Sequence, residues 1–366
     1  MLIGVDASRA LIRQRTGTEN YSLYLLRHLV EVGAEHHFRL YVPRPAPTGL
    51  FPDRPNVAFQ IVRAPRLWTH LGLSRELRHS RPDVLFVPAH VLPLVCPCPG
   101  VVAVHDLGYL FYPQAHSRFD RWYLNLTNRR HVRQAAAIVT LSQASKGDMV
   151  EHYGADPTRI HVTYPGYDET LKPMEKRTAL AVAQTQYGIK TDYFLFLGTV
   201  QPRKNLFRLV QAFAQVRAQG HTCQLVIGGK SGRWHERLET QIGDLGLRDQ
   251  VVLTGYVKEI HKRGLLSGAV AFVFPSLYEG FGLPVLEAQA CGAPVICSNT
   301  TSLPEAVGES ALLVDPLNVD EMAQAMTRLL TDEGLQADLT DKGDQNLPRF
   351  SWRRCAQETL QVLTGV

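Results

Sequence analysis

The stretch Glu279-Gly-Phe-Gly-Leu-Pro-Val-Leu-Glu287 reads as a loop that runs into a helix. Pro284 suits the first turn of that helix, because its missing N–H has no partner to lose there. Glu279 then lies in the loop, and Glu287 lies about one turn inside the helix. The two glycines between the acids leave bare backbone at a helix N-terminus, which attracts anions. The pattern indicates a ligand with hydroxyl groups at both ends and phosphates between them, as in a sugar nucleotide.

Short apolar runs alternate with helical patterns along the whole chain, which predicts parallel sheets covered by helices on both faces. The pattern weakens near residue 168, and a polar stretch containing Pro173 follows. We therefore predict an α/β protein with two doubly wound, Rossmann-like domains that face each other across a cleft. The predicted parts are a first domain at 1–168, a linker at 169–190, a second domain at 191–348, and a C-terminal helix at 349–366 that packs back on the first domain.

Composition excludes several classes of protein. No apolar run approaches the ~20 residues that span a bilayer, and no secretory signal is visible. The six cysteines are scattered, which is typical of reduced thiols in a cytosolic protein. No dense basic run points to nucleic acid, and no Gly-x-Gly-x-x-Gly follows the first strand, so a nicotinamide dinucleotide site is poorly supported.

Charge is uneven between the two halves. Residues 1–170 hold 19 Lys+Arg against 14 Asp+Glu, a difference of +5, and the remainder holds 20 against 20. A basic face of this kind suits peripheral contact with an anionic membrane surface or with a phosphorylated acceptor. An ordinary solvated surface is the alternative. We expect a cytoplasmic protein that binds at the inner face of the membrane.

Candidate ligand-binding residues follow the predicted strands of the second half. The strand Tyr193–Gly198 leads into Arg203 and Lys204, whose side chains suit phosphate oxygens. Ligands of parallel sheets bind beyond the carboxyl ends of the strands, which places this pair near the acidic loop. Lys230 follows the next strand, and Tyr256 and Val257 follow the one after it. Lys230 as a solvated lysine and Tyr256 as ordinary packing remain the alternatives.

In the first half, two predicted strands also lead into candidate ligand-binding residues. The strand Val101–Val104 ends in His105, which we interpret as a substrate contact, with a structural histidine as the alternative. The first strand leads into a basic loop with Arg13, closed by Gly17. Gly17 would let the backbone approach a phosphate, or it is a simple turn glycine. Thr18 is expected to cap a helix that begins near Glu19.

These segments together resemble the retaining GT-B glycosyltransferases of family 4, nearly from end to end. The resemblance is strongest in Phe274-Pro-Ser-Leu-Tyr-Glu-Gly-Phe-Gly-Leu-Pro-Val-Leu-Glu287 and in Gly198-Thr-Val-Gln-Pro-Arg-Lys-Asn205. The first-half segments Gly4-Val-Asp-Ala-Ser8 and Val104-His-Asp-Leu107 are similar to the branch of O-antigen-type mannosyltransferases. Where that family often has a small and a basic residue after the first-loop glycine, this chain has Thr18-Glu19-Asn20.

The resemblance implies that the domain at 1–168 binds the acceptor and that the domain at 191–348 binds the nucleotide sugar. It also implies a role for each matching residue. Arg203 and Lys204 would bind the donor diphosphate, Glu279 would contact hydroxyls of the transferred sugar, and Glu287 would hold the ribose. His105 would touch the sugar near its sixth carbon. The remaining donor contacts would come from Gly17, Thr18, Gly198, Lys230, Tyr256, Val257, Gly280, Phe281, Gly282 and Leu283.

The function implied is transfer of a hexose, with mannose from GDP-mannose as the first choice, to a polysaccharide or lipid-linked oligosaccharide. The resemblance also implies retention of configuration and neither cofactor nor metal, because cationic side chains and a helix N-terminus supply the positive field. Two alternatives stay open. One is a nucleotide-sugar epimerase on the same scaffold, and the other is a catalytically silent subunit that binds sugar nucleotides.

Overall fold

The structure, a computed structural model, describes residues 1–12, 15–64, 67–89, 91–230 and 234–366. It divides into two compact units. The first unit comprises Met1–Leu110, Ser117–Gly166 and Phe350–Val366. The second unit comprises Phe111–His116 and Tyr167–Arg349.

The first unit is built on a parallel sheet with the strand order β3-β2-β1-β4-β5-β6-β7. Its inner strands β1, β4, β5 and β6 are almost wholly buried, as expected for a parallel sheet with helices on both faces. The strands are β1 (Leu2–Asp6), β2 (His37–Val42), β3 (Val57–Ile61), β4 (Val84–Val87), β5 (Gly100–Val104), β6 (Ala137–Thr140) and β7 (Ile160–Val162).

The second unit repeats this plan with the order β10-β9-β8-β11-β12-β13. Every pairing in both sheets is parallel, for example Ala271 with Phe194. The second order reads 3-2-1-4-5-6 within its unit, and the first adds a seventh strand to the same order, 3-2-1-4-5-6-7. This is the doubly wound arrangement. The strands are β8 (Tyr193–Leu197), β9 (Gln224–Gly228), β10 (Val251–Gly255), β11 (Ala271–Phe274), β12 (Val295–Ser298) and β13 (Leu312–Val314).

Helices connect the strands. In the first half they are α1 (Gly17–Val32), α2 (Ser74–Ser80), α3 (Gly108–Phe111), α4 (Arg118–Gln134) and α5 (Gln143–Tyr153). In the second half they are α6 (Lys176–Tyr187), α7 (Leu206–Ala218), α8 (His235–Asp244), α9 (Glu259–Gly268), α10 (Leu283–Ala290), α11 (Leu303–Val307), α12 (Val319–Thr331), α13 (Glu333–Asn346) and α14 (Trp352–Thr364).

The segment that was expected to be a linker is largely helical. Glu175 caps the start of α6, where its side chain accepts hydrogen bonds from the Arg177 and Thr178 amides. Helix α6 buries Ala179 and Ala183 and packs on α9, where a Cβ at Gly264 would lie 2.9 Å from the Val182 side chain. Small apolar residues therefore give this polar stretch a narrow face that joins it to the second unit.

Helix α14 belongs to the first unit, although 183 residues of the second unit, Tyr167–Arg349, precede it in the chain. It packs on α1, where the Trp352 and Tyr24 rings stack with centroids 5.6 Å apart. The Trp352 ring also meets the edge of Tyr21 at 5.8 Å. The apolar face of this helix thus completes the cover of the first sheet.

Across the described ranges, no helix is both long enough and apolar enough to cross a bilayer.

Candidate functional site

The second sheet reverses its strand order between β8 and β11, which are neighbours. The connections that leave these two strands diverge, and such a switch point opens a crevice at the carboxyl edge of the sheet. Arg203 and Lys204 lie in a short 3-10 helix, Pro202–Lys204, after β8. Glu279 lies between β11 and α10. The fold thus places residues more than 70 positions apart at one ligand-binding edge.

The three side chains form one ion cluster. Lys204 Nζ lies 2.5 Å from Glu279 Oε1, and Arg203 Nη1 lies 2.8 Å from Glu279 Oε2. Arg203 Nη1 also donates to the Tyr278 carbonyl at 3.0 Å, and the Lys204 ammonium lies 4.4 Å from the centre of the Phe274 ring. Lys204 and Glu279 are both buried. The cluster holds two cations and one anion at the switch point.

The cluster fixes the charge of Glu279. Burial alone would raise the pKa of this carboxyl, but the charges of Arg203 and Lys204 outweigh burial and lower the pKa to about 2. Glu279 is therefore a carboxylate at neutral pH, which can accept hydrogen bonds but cannot donate a proton. This charge state suits a residue that orients cations and hydroxyl groups, and it excludes a general acid.

The loop after Glu279 turns sharply into α10. Gly282 caps the start of the helix with φ +113°, a conformation that disfavours any side chain. A Cβ there would also lie 2.6 Å from Leu303 Cδ2. Leu283 is the first helical residue, Pro284 follows it, and Glu287 lies one turn inside, as predicted. Since the cap residue is a glycine, no side chain caps this end of α10 in the described structure.

Two hydroxyl residues that the sequence analysis missed support the Glu279 loop. The Glu279 amide donates to Thr301 Oγ1 at 3.2 Å, and Ser302 Oγ lies 2.9 Å from the carbonyl oxygens of both Glu279 and Phe281. Thr301 has φ +56°, which is unusual for a β-branched residue and marks local strain. Both residues follow β12, the neighbour of β11, and this adjacency is the signal that could have identified them.

Glu287 also has a partner that the sequence analysis missed. Lys262 Nζ on α9 lies 2.5 Å from Glu287 Oε1. Burial alone would lower the pKa of Lys262, but the carboxylates of Glu287 and Glu259 raise it above its ordinary value. Lys262 therefore stays charged and fixes the position of the Glu287 carboxylate.

The other predicted second-unit residues lie on the same edge. The Gly198 amide donates to the Gly228 carbonyl at 2.8 Å, which joins the ends of β8 and β9. Lys230 Nζ lies 5.9 Å from the centre of the Tyr256 ring, and that ring is about half exposed. Val257 packs on the end of β9, where a Cβ at Gly228 would lie 2.7 Å from its Cγ2. The carboxyl ends of β10, β9, β8 and β11 thus form one continuous row.

In the first unit, His105 follows β5 at the carboxyl edge of its sheet. His105 Nε2 lies 2.8 Å from the Pro88 carbonyl, which can only accept, so Nε2 carries a proton. The Tyr21 ring meets the imidazole edge-on at 4.5 Å. Burial lowers the pKa of His105, although Asp106 and Glu19 oppose this effect. A neutral imidazole then leaves Nδ1 as a hydrogen-bond acceptor.

The start of α1 differs from the expectation. The helix begins at Gly17, and its cap is Thr16 rather than Thr18. The Thr16 amide donates to Glu19 Oε2 at 2.9 Å, because a glutamate three residues after the cap completes a capping box. Thr18 therefore lies inside the first turn. A Cβ at Gly17 would meet nothing within 4 Å, so packing does not require glycine here. Arg13 lies outside the described residues.

Two family profiles match the chain, one in each half. "Glycosyltransferase Family 4" matches residues 15–171, and "Glycosyl transferases group 1" matches residues 183–346.

Several of the curated relatives are named mannosyltransferases. O-antigen chain mannosyltransferase B of Escherichia coli is 32% identical over 265 residues, which cover 72% of this chain and 69% of that protein. The serotype-specific mannosyltransferase WbdA of Escherichia coli is 28% identical over 295 residues, or 78% of this chain. The match spans only 35% of WbdA, so the chain is similar to about a third of that longer protein.

Solved structures share the fold over the whole chain. Sucrose-phosphate synthase from Thermosynechococcus elongatus has a TM-score of 0.78 at 20% identity and is covered to 98%. Anabaena HepE, solved in complex with UDP and glucose, has a TM-score of 0.77 at 18% identity and is covered to 99%. Together with the two doubly wound sheets, these matches show the GT-B fold. The protein is a glycosyltransferase, and the chain belongs to the group 1 glycosyltransferases of family 4.

Proposed function

We propose that the chain transfers a hexose from a nucleotide sugar to a glycan or lipid-linked acceptor, with retention of configuration and without a metal. One observation carries the proposal. The buried cluster of Arg203, Lys204 and Glu279 lies at the switch point of the second sheet, beside the uncapped start of α10. A helix N-terminus and two cations in one crevice favour a ligand with a diphosphate.

The roles of the charged residues follow from this geometry. Arg203 and Lys204 stabilise the charge that grows on the diphosphate as the sugar–phosphate bond breaks, and preorganised charge of this kind contributes several kcal/mol. Glu279 holds the two cations in place and accepts hydrogen bonds from sugar hydroxyls. Because its pKa is about 2, the Glu279 carboxylate is a poor base, and the proton of the acceptor hydroxyl passes instead to the departing phosphate on the same face of the sugar, which preserves configuration. Nδ1 of His105 accepts a hydrogen bond from a sugar hydroxyl.

The remaining roles concern the nucleotide. Glu287, held by Lys262, binds the two ribose hydroxyls one turn inside α10. Lys230 and the exposed Tyr256 ring lie at the ends of β9 and β10, and they bind the base and the phosphates of the nucleotide. Amides at the start of α10 and Gly17 at the start of α1 bind phosphate and sugar oxygens. Thr18 in the first turn of α1 and Gly198 in the turn after β8 are further donor contacts.

The donor and acceptor are proposed from the relatives. The two Escherichia coli relatives are named mannosyltransferases, which supports GDP-mannose as the donor. One of them is named for the O-antigen chain, which supports a growing surface polysaccharide or its lipid-linked precursor as the acceptor. Such an acceptor places the protein at the cytoplasmic face of the membrane.

A donor panel tests this function. Purified protein is incubated with GDP-mannose, GDP-fucose, UDP-glucose and UDP-N-acetylglucosamine, with and without EDTA, and free nucleotide is measured. We expect slow hydrolysis of GDP-mannose that EDTA leaves unchanged, and no loss of the other donors. Anomeric NMR of the released sugar, recorded before mutarotation, reports the configuration. If no nucleotide sugar is consumed or bound, the proposal is wrong.

The same experiment separates the alternatives. An epimerase would produce a different nucleotide sugar from donor alone, which chromatography of the intact donor detects. A catalytically silent subunit would bind a donor but release no nucleotide, with or without a lipid-linked acceptor.

A further inference from the structure

Helix α4 exposes a row of large apolar side chains on the first unit. Phe119 is 67% exposed, Trp122 is 60% exposed and Leu126 is 51% exposed. Their spacing of three and four residues puts them on one face of the helix. The Phe119 ring packs against Trp122 at 6.0 Å and stacks on Tyr123 at 6.2 Å. A contiguous apolar surface of this kind marks an interaction site.

Two neighbouring loops extend this surface. The short π-helix Trp68–Leu73 carries Leu71, which is 58% exposed. This helix is tied to α4 because His70 Nε2 lies 2.6 Å from the Tyr123 hydroxyl. On another side, Arg130 donates to the carbonyl of Leu94 at 2.9 Å, and Leu94 is 59% exposed. We use the name α4 surface for Leu71, Leu94 and the exposed side chains of α4, which include Phe119, Trp122 and Leu126. Its members come from three segments that hydrogen bonds hold together.

The α4 surface carries a strong positive charge. Helix α4 holds five arginines and one acid, Asp120, which is a net charge of +4. The exposed row continues toward the C-terminus of the helix as Arg129 and Arg133, which follow Leu126 at positions i+3 and i+7. The other arginines of α4 are Arg118, Arg121 and Arg130.

A basic cavity lies at the C-terminal end of the row. Its volume is about 330 Å³, and Arg129, Arg133 and Arg159 line it together with His152 and Asp156. Arg159 is fixed there, since its guanidinium donates to the Val132 carbonyl at 3.2 Å. The cavity is therefore suited to an anionic group such as a phosphate. Apolar side chains and an anion-accepting cavity thus lie along one helix.

We propose that the α4 surface docks the protein on an anionic lipid bilayer. Phe119, Trp122 and Leu126 enter the boundary between headgroups and acyl chains, while the arginines contact lipid phosphates. Exposed aromatic residues with flanking arginines are typical of helices that lie in this interface. Leu71, Leu94 and Leu126 argue against nucleic acid, since aliphatic side chains offer bases no stacking face. The inference rests on the proposed function for its purpose, a membrane-linked acceptor, but not for its geometry.

Vesicle sedimentation tests the proposal. The full chain is mixed with vesicles of phosphatidylcholine, with and without phosphatidylglycerol, and the pelleted fraction is measured. We expect binding that requires phosphatidylglycerol and weakens with salt. Arg129→Gln/Arg133→Gln should weaken it by about thirtyfold, at roughly fivefold per charge. Phe119→Ser/Trp122→Ser should weaken it by at least about tenfold.

Matched controls come from the second unit. Lys176→Gln/Arg177→Gln on α6 removes two exposed cations, and Leu317→Ser removes one exposed apolar side chain. Both should bind vesicles like the unaltered chain. Equal loss in these controls, or equal binding to vesicles without phosphatidylglycerol, would overturn the proposal. A change of oligomeric mass in Phe119→Ser/Trp122→Ser without vesicles would do so too, because the surface would then join copies of the chain.

Donor binding distinguishes the two proposals. Calorimetry with GDP-mannose is run on the same variants without vesicles. If all of them bind donor but the unaltered chain never pellets with vesicles, the docking proposal fails and the proposed function stands. If the chain pellets as expected but binds no donor, docking stands and the proposed function fails.

Discussion

Lys262 Nζ and Glu287 Oε1 lie 2.5 Å apart in the second unit, with only 14% and 17% of their side chains exposed. The pair joins α9 to α10, and Glu287 is the residue proposed to hold the ribose. A carboxylate that is fixed before the nucleotide arrives loses less side-chain entropy on binding. Lys262 is therefore expected to contribute to donor affinity without contacting the reacting atoms.

Changing Lys262 tests this contribution. We expect Lys262→Met to raise the KM for the donor by about tenfold and to change kcat much less, because the lost interaction acts equally in the ground and transition states. The double variant Lys262→Met/Glu287→Gln should have a donor KM no higher than that of Glu287→Gln alone. Lys258→Met, which removes an exposed cation just before α9, is the control. Additive effects of the two changes would mean that Lys262 acts independently of Glu287.

Changing Lys204 tests the role of the ion cluster. Lys204→Met keeps the length and packing of the side chain but removes a charge beside the proposed diphosphate. We expect kcat to fall by about 100- to 1000-fold. Lys230→Met should instead raise KM with a smaller effect on kcat, since Lys230 lies at the nucleotide end of the row. Thermal unfolding identifies any loss of turnover that comes from misfolding. Turnover within a few-fold of the unaltered enzyme would exclude Lys204 from the reaction.

The Glu279 carboxylate makes stability depend on pH. Its pKa is about 2 in the folded chain and 4.5 in the unfolded reference. The ionised form therefore stabilises the fold above the unfolded pKa, and this contribution disappears as the pH falls through 4.5 toward 2. At pH 7 we expect Glu279→Gln to lower the free energy of unfolding by about 3 kcal/mol. At pH 3 the difference between the two proteins should shrink, and denaturant unfolding at both values measures it. An equal difference at both values would mean that the folded pKa is not lowered.

Gly17 offers a test that separates binding from stability. A Cβ at Gly17 meets nothing within 4 Å, so Gly17→Ala should leave the melting temperature unchanged or slightly higher. If Gly17 lies against the diphosphate, the same change should weaken donor binding by tenfold or more, on the order of the cost of one lost close contact. Gly147→Ala in α5, where the space is equally open, is the control, and it should raise the melting temperature slightly without changing donor binding. Unchanged donor affinity in Gly17→Ala would make Gly17 a simple turn residue.

Much of the candidate site could be predicted from where the strands end. The carboxyl ends of parallel strands share one edge, so residues after Tyr193–Leu197 and Ala271–Phe274 could be placed together before any contact was known. Pro284 likewise indicated where α10 begins, and the observed helix starts one residue earlier. The pattern could not show that Arg203 and Lys204 both bind Glu279, because the side-chain directions depend on the turns between these elements.

Other features could not be predicted, because their local sequence signals are weak. Helix α9 was not predicted, because its ten residues include Gly264 and Gly268, and Lys262 therefore went unnoticed. The segment that forms α6 was interpreted as a linker, since its buried face consists only of small residues such as Ala179 and Ala183. Strand β7 is three residues long and has one exposed position, His161, which left no clear apolar run.

The place of α14 has a consequence for synthesis of the chain. Trp352 covers Tyr21 and Tyr24, so the first unit stays incomplete until residues 350–366 have left the ribosome. The second unit, whose strands all precede them, can close earlier, and a truncation after Arg349 should damage the first unit selectively. A fragment of residues 1–166 is therefore expected to bind a hydrophobic dye and to lose that binding when a peptide of residues 350–366 is added. A segment made after the second unit would then complete the packing of the first unit.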